Sequence, residues 1–130
     1  MKYKGILLFQ GNQFVVGDDF LEEFVIADED GTLLSNLTGW TFRAELHSLA
    51  SSITNTYITI TTSGSKATLS IPNSATEDLT SDIRYVLIVK GKLDSKDYTL
   101  VRKNLYFKKE VLDWKLKEEY TNVHNYKINF

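Results

Sequence analysis

The residues best suited to chemistry in this chain are acidic. Between Asp18 and Asp30 every charge is negative: Asp18, Asp19, Glu22, Glu23, Asp28, Glu29 and Asp30. One chemistry open to such a run is calcium binding. A helix-flanked calcium loop takes oxygen ligands at its first, third and fifth positions, glycine at the sixth and a bidentate glutamate at the twelfth. With Gly31 at the sixth position, Asp28 and Asp30 fall at the third and fifth, but Ile26 and Leu37 occupy the first and twelfth. The loop fails at both ends, and the flanks FLEEFVIA and WTFRAELH have strand character. Asp30-Gly31 between apolar runs predicts a turn, because glycine enters the left-handed region without steric cost. The other chemistry is glycoside hydrolysis by a carboxylate pair drawn from Asp18, Asp19, Glu22, Glu23 and Glu45. It needs a cleft that fixes the separation of two acids and raises the pKa of one. A short solvated stretch supplies neither.

The remaining candidates are sparse. His47 and His124 have no second histidine or cysteine at metal spacing, and the chain contains no cysteine at all, which excludes disulfides, thiolate metal sites and a cysteine nucleophile. Serines lack an activating context, and the nucleophile-elbow, phosphate-loop, dinucleotide and zinc-protease motifs are missing. The sequence therefore assigns no catalytic, cofactor-binding or metal-binding residue, and the expected protein is not an enzyme.

The elements that carry these residues read as short strands separated by turns. Gly5–Phe9 and QFVV are extended pieces. FLEEFVIA is a strand with Phe20, Leu21, Phe24, Val25 and Ile26 as core candidates. LSNLTGW is an irregular link that tucks Leu37 and Trp40 inward. TFRAELH alternates, placing Phe42, Ala44 and Leu46 on one face and Arg43, Glu45 and His47 on the other. SLASSITN reads as a flexible connection. TYITITT, the turn SGSK and ATLSI form the clearest hairpin, in which Ala67, Leu69 and Ile71 share a face and Pro72 ends the ladder. NSATEDLTSDI predicts one helical turn capped by Ser74 or Thr76, with Leu79 in the core. RYVLIVKG and YTLVRKNLYFKKEV are the closing strands, the second with a bend near Lys103-Asn104. Strands and turn clusters alternating over a hundred residues imply an all-β, two-sheet antiparallel sandwich.

At 130 residues the chain holds one domain, read here as residues 1–110, followed by a C-terminal extension, residues 111–130. The longest apolar run, GILLF, is too short to cross a bilayer, so no membrane insertion is expected, and MKYKG does not lead into an export signal. The absence of cysteine fits synthesis in a reducing cytoplasm. Net charge is −2, which offers no whole-molecule attraction to nucleic acid. The basic and aromatic residues of YFKKEVLDWKLK are interleaved with acids, so no nucleic-acid partner is expected. Residues 1–101 carry eight Lys and Arg against thirteen Asp and Glu, whereas residues 102–130 carry seven against four. An acidic body thus precedes a basic C-terminal part.

From Leu112 the alternation resumes, with Leu112, Trp114 and Leu116 on one parity and Tyr126, Ile128 and Phe130 on the same parity further on. Such an arm suits strand addition to the sheet edge of another subunit, or to the edge of its own sandwich.

The order FQGNQFVVGDDF, IADEDGTLLSNLTGWTFRAELHS, ATLSIPNSATEDLTSDIRYVLIV and LVRKNLYFKK resembles a family of tailed-phage structural proteins with an Ig-like β-sandwich, also found at the N-terminus of upper baseplate proteins. The matching pieces are Asp28–Gly31, Leu37–Gly39, Thr76–Leu79, Tyr85–Val89 and Leu100–Phe107, spread over roughly residues 6–110. The glycine usual before the end of the closing strand is missing, and Met1–Gly5 and the segment from Leu112 have no counterpart. The resemblance implies a non-catalytic virion structural protein, made in the host cytoplasm, that contacts other virion proteins in a tail, baseplate, neck or capsid position and forms a homo-oligomer. The arm residues Trp114, Tyr120, Tyr126 and Phe130 are the expected protein interface. The alternative function is a host-surface receptor or glycan-binding module of the virion, using Trp40, Tyr57 or Tyr98 beside acidic residues.

Overall fold

A computed structural model describes residues 2–48, 52–53 and 58–109. The strands in chain order are β1 (Tyr3–Leu7), β2 (Gln13–Val15), β3 (Phe20–Asp28), β4 (Thr41–His47), β5 (Ser52–Ile53), β6 (Thr59–Ser63) and β7 (Lys66–Ile71). One helical turn, α1 (Asn73–Thr76), separates them from β8 (Arg84–Leu93) and β9 (Lys96–Lys108). A four-stranded sheet has the order β1-β3-β7-β6, and a five-stranded sheet the order β2-β9-β8-β4-β5. The protein is an all-β sandwich, as the spacing of turns predicts.

The topology is immunoglobulin-like. β1, β3, β7 and β6 follow the A-B-E-D order of one sheet of that fold, and β9, β8 and β4 the G-F-C order of the other, with β5 added at its edge. β2 pairs with β9 in parallel, through Gln13↔Tyr106 to Val15↔Lys108, while every other strand pair is antiparallel. The sandwich is otherwise antiparallel, as expected. The first apolar segment leaves the four-stranded sheet after Leu7 and joins the edge of the other sheet at Gln13, so the chain direction is kept and the new pairing must be parallel.

The core lies between the sheets and is made by inward residues of consecutive rows. Phe20, Phe24, Ile26, Ala67, Leu69 and Ile71 come from one sheet, and Ala44, Leu46, Tyr85, Leu87, Val89 and Leu105 from the other. Two aromatic clusters close its ends. Trp40 stacks on Phe42, with ring centroids 5.8 Å apart and planes at 4°, and meets Tyr3 edge-on at 5.1 Å. At the other end Phe14 lies 4.9 Å from Phe20 and 5.8 Å from Phe107. Such ring pairs add about 0.5–1.5 kcal/mol beyond area burial. The close approach of Trp40 to β8 requires Gly91, where a Cβ would stand 2.7 Å from Trp40 Cζ3 and 2.8 Å from Leu100 Cδ1.

Tyr85 begins β8 fully buried, and its hydroxyl accepts the Thr80 N–H at 2.9 Å. This is the tyrosine corner of immunoglobulin-like folds, a phenol that ties the start of the strand to the preceding loop. Leu87 stands two residues on, where antibody domains have the second cysteine of their disulfide, so apolar packing takes the place of the bridge.

Several local expectations need correction. The irregularity of β9 sits at Leu100, not near Lys103-Asn104: Val89 pairs with Val101 and Lys90 with Thr99, leaving Leu100 as the extra residue. The bulge lets adjacent Leu100 and Val101 both be buried. α1 has no cap from Ser74 or Thr76; Asp19 Oδ1 accepts the Asn73 N–H at 2.7 Å, and the Thr76 hydroxyl donates to the Asp18 carbonyl at 2.6 Å. Within SLASSITN, Ser52–Ile53 pair with β4 as a short edge strand. Leu21 is 64% exposed and belongs to no core. Leu79 is buried as expected.

Candidate protein-interaction surfaces

The acidic run divides into a structural part and an exposed part. Asp28 Oδ1 accepts the N–H groups of Asp30 at 2.9 Å and Thr32 at 3.0 Å, and the Gly31 N–H donates to the Asp28 carbonyl at 3.0 Å. Gly31 takes φ +84°, the left-handed value that completes a three-residue hairpin loop. The chain then returns beside β3, with Leu34 N–H bonded to the Ile26 carbonyl at 2.9 Å. The carboxylate of Asp28 is thus engaged in building the turn. No group of three or more His, Cys, Asp and Glu placed to hold a metal ion occurs among the described residues.

Five further acids reach one end of the sandwich through two loops. Asp18 and Asp19 precede β3, Glu77 and Asp78 follow α1, and Asp82 precedes β8; all are exposed. The bonds from Asn73 and Thr76 to Asp19 and Asp18 tie α1 to the β2–β3 loop, and the Asp82 N–H, donating to the Phe107 carbonyl at 2.9 Å, ties the α1–β8 loop to β9. Lys108 Nζ stands 3.8 Å from Asp82.

The five-stranded sheet has the opposite charge on its outer face. Ladder registers place Arg43 directly opposite Lys90, and Arg102 beside Ile88; Arg84, Lys92 and Lys108 share their parity. Glu45 and Asp97 are the carboxylates on that parity among the described residues, and Asp97 lies 3.4 Å from Arg43. Within residues 102–130 the basic excess rests on Arg102, Lys103, Lys108 and Lys109, in β9 and at its exit, whereas residues 112–130 hold three lysines and three acids.

The outer face of the four-stranded sheet is apolar where β1 and β3 meet. Ile6 pairs with Val25, and the Leu8 N–H donates to the Glu23 carbonyl at 2.9 Å, so Ile6, Leu8 and Leu21 lie on neighbouring outward positions. Leu33 joins them by its bridge to Ala27. These four side chains are 40%, 47%, 64% and 54% exposed, and they are the large apolar residues exposed among those described. Leu8, Leu21, Glu22, Glu23 and Thr68 line a shallow depression of about 300 Å³. Burial pushes the Glu22 carboxyl above its ordinary value of 4.5, and the Glu23 charge adds to the rise. The sequence signal for this face is the unbroken run ILLF, which is apolar on both parities where a half-solvated strand alternates.

The residues expected to form the protein interface, Trp114, Tyr120, Tyr126 and Phe130, lie outside the described residues, as do Tyr57 and His124. Trp40 and Tyr98, considered for sugar binding, are drawn into the aromatic cluster, with Tyr98 5.0 Å from Tyr3 and 5.7 Å from Trp40. Trp40 is buried and presents no open ring face. His47 is exposed beside Leu46, as its alternation predicts. No helix among the described residues is long and apolar enough to cross a membrane. No protein-family model matches the chain, and no match to it was found among curated proteins.

Proposed function

We propose that this chain is a non-catalytic bacteriophage virion structural protein that makes assembly contacts with other virion proteins. The virion setting comes from the ordered turn motifs between Asp28 and Phe107. The observation that carries the assembly role is the apolar outer face at Ile6, Leu8, Leu21 and Leu33. A solvated sandwich gains nothing from such a face, whereas covering it would contribute on the order of 1 kcal/mol per half-exposed leucine before the cost of association. Trp114, Tyr120, Tyr126 and Phe130 are assigned to the same role, as anchors on a neighbouring subunit.

The experiment is incorporation of tagged protein into particles, followed by mass spectrometry of the purified virions. Leu8→Lys with Leu21→Lys should leave the melting temperature nearly unchanged, since both side chains are solvated, yet reduce incorporation at least tenfold. Removal of residues 112–130 should do the same with the sandwich intact. Normal incorporation of both variants would refute the assembly role. Loss of host-cell adhesion with normal incorporation would point to the receptor-binding function instead.

A further inference from the structure

We infer that the outer face of the five-stranded sheet docks the acidic end of a second copy of this chain. This goes beyond the virion assignment and does not depend on it. Arg43 and Lys90 stand directly opposite one another, a like-charge pair that is unfavourable in itself and that Asp97, 3.4 Å from Arg43, offsets in part. Arg102, Lys92 and Arg84 continue the same face, with Val86, Ile88 and Tyr106 half-buried between them. A docked anionic surface would relieve that repulsion and cover the apolar rows.

The occupant follows from charge. Asp18, Asp19, Glu77, Asp78 and Asp82 converge at one end of the sandwich, a compact acidic surface complementary to the basic face. Within one molecule the two surfaces meet only at their margin, where Lys108 stands 3.8 Å from Asp82 and Arg84 follows Asp82 by two residues; Arg43 and Lys90 lie further along the face. Lys90 lies six residues along β8 from Arg84, roughly 20 Å at strand rise, which exceeds the Debye length of about 8 Å at physiological salt. One surface is an end and the other a face, so the contact between copies is heterologous and propagates into a ring or filament. The net charge of −2 gives no whole-molecule attraction to a free polyanion.

Sedimentation velocity over a concentration series tests the proposal on the full chain. Lowering the salt from about 0.15 M to about 0.01 M lengthens the Debye length from about 8 to about 30 Å, and self-association should tighten by roughly tenfold or more. Lys90→Glu with Arg102→Glu, and separately Glu77→Lys with Asp78→Lys, should each be monomeric with unchanged circular dichroism, and the first should melt no lower than the parent because it sets a carboxylate opposite Arg43. Mixed together they retain one basic face and one acidic end, and should form a 1:1 dimer that grows no further. A monomer at every concentration in low salt would overturn the proposal, as would association that survives both charge reversals. Retention of a single-stranded oligonucleotide by the parent chain, lost in Lys90→Glu with Arg102→Glu and without self-association, would assign the face to nucleic acid and reject the second copy.

Discussion

Replacing Gly91 by alanine tests the packing of Trp40 with a result whose sign decides the matter. In the middle of a strand, glycine is a poor choice, and Gly→Ala at a tolerant position stabilises by about 0.4–1 kcal/mol. At Gly91 the added methyl would lie 2.7 Å and 2.8 Å from two indole carbons of Trp40 and 2.8 Å from Leu100 Cδ1. Carbon atoms pack at about 3.5–4.0 Å, so each neighbour must retreat by nearly an ångström. Trp40 has no room to do so, because Tyr3, Phe42 and Tyr98 hold its ring, and Leu100 is fixed as the extra residue of the β9 bulge. Overpacking of this kind costs about 1–3 kcal/mol. For a domain of this size a loss of about 2 kcal/mol lowers the melting temperature by roughly 10 °C. Differential scanning calorimetry reads the shift directly. Trp40→Leu in the same chain should shrink the penalty of Gly91→Ala, because the colliding carbons are gone. An unchanged or raised melting temperature for Gly91→Ala alone would refute the reasoning.

Four further outcomes follow from the same structure. Tyr85→Phe leaves the Thr80 N–H without its phenolic acceptor and should cost about 1–2 kcal/mol in urea unfolding; no loss would remove the corner from the stability of the fold. Asp28→Ala should cost about 1 kcal/mol by leaving the N–H groups of Asp30 and Thr32 without their acceptor, while Asp28→Asn, which keeps that oxygen, should be nearly neutral in the same assay. Asp94 and Ser95 adopt φ +52° and +68° at the tip of the β8–β9 hairpin, so Ser95→Gly should stabilise by about 0.5–1 kcal/mol, read as a higher urea midpoint. The raised pKa of Glu22 means that the folded state binds its proton more tightly than the unfolded chain, so its contribution to stability is intact below 4.5 and falls as pH rises through the folded value. Glu22→Gln should therefore raise the melting temperature at pH 7 and leave it unchanged near pH 4; an equal shift at both would reject ionisation as the cause.

What the sequence made legible was whatever is written locally. The SGSK hairpin, the Asp28–Gly31 turn and the inward alternation of Ala44 and Leu46 each depend on residues a few positions apart, and the structure contains all of them. The features that escaped are set by distant partners. Asp19 caps α1 from 54 residues away, which no reading of NSATEDL alone reveals. Leu21 shares an apolar strand with Phe20 and Phe24, but which parity faces the second sheet is decided by the pairing Phe20↔Ile71 and Phe24↔Ala67. The bulge did leave a trace, since Leu100-Val101 breaks the alternation of YTLVRKN, yet that doublet is equally compatible with a strand buried on both faces. The expected interface residues could be read from sequence as an aromatic pattern, whereas the apolar and basic faces required registers between strands.

These two faces have different physical status, and the difference bears on how contacts could be built. The interior is satisfied without them: both ends of the core are closed by aromatic clusters, and the buried Thr76 hydroxyl donates to a carbonyl. Neither Leu21 nor Lys90 is therefore needed to hold the sheets together. An exposed leucine on the four-stranded sheet loses little free energy in the isolated molecule and gains when covered, through a short-range term insensitive to salt. The opposed pair Arg43 and Lys90, which Asp97 offsets only in part, gains when an anion approaches, through a term that reaches a Debye length and weakens as salt rises. An encounter steered by the basic face and retained by the apolar one would combine a salt-dependent association rate with a salt-insensitive dissociation rate. The sandwich can carry both because its two outer faces are independent surfaces, each set by its own ladder register, around one shared core.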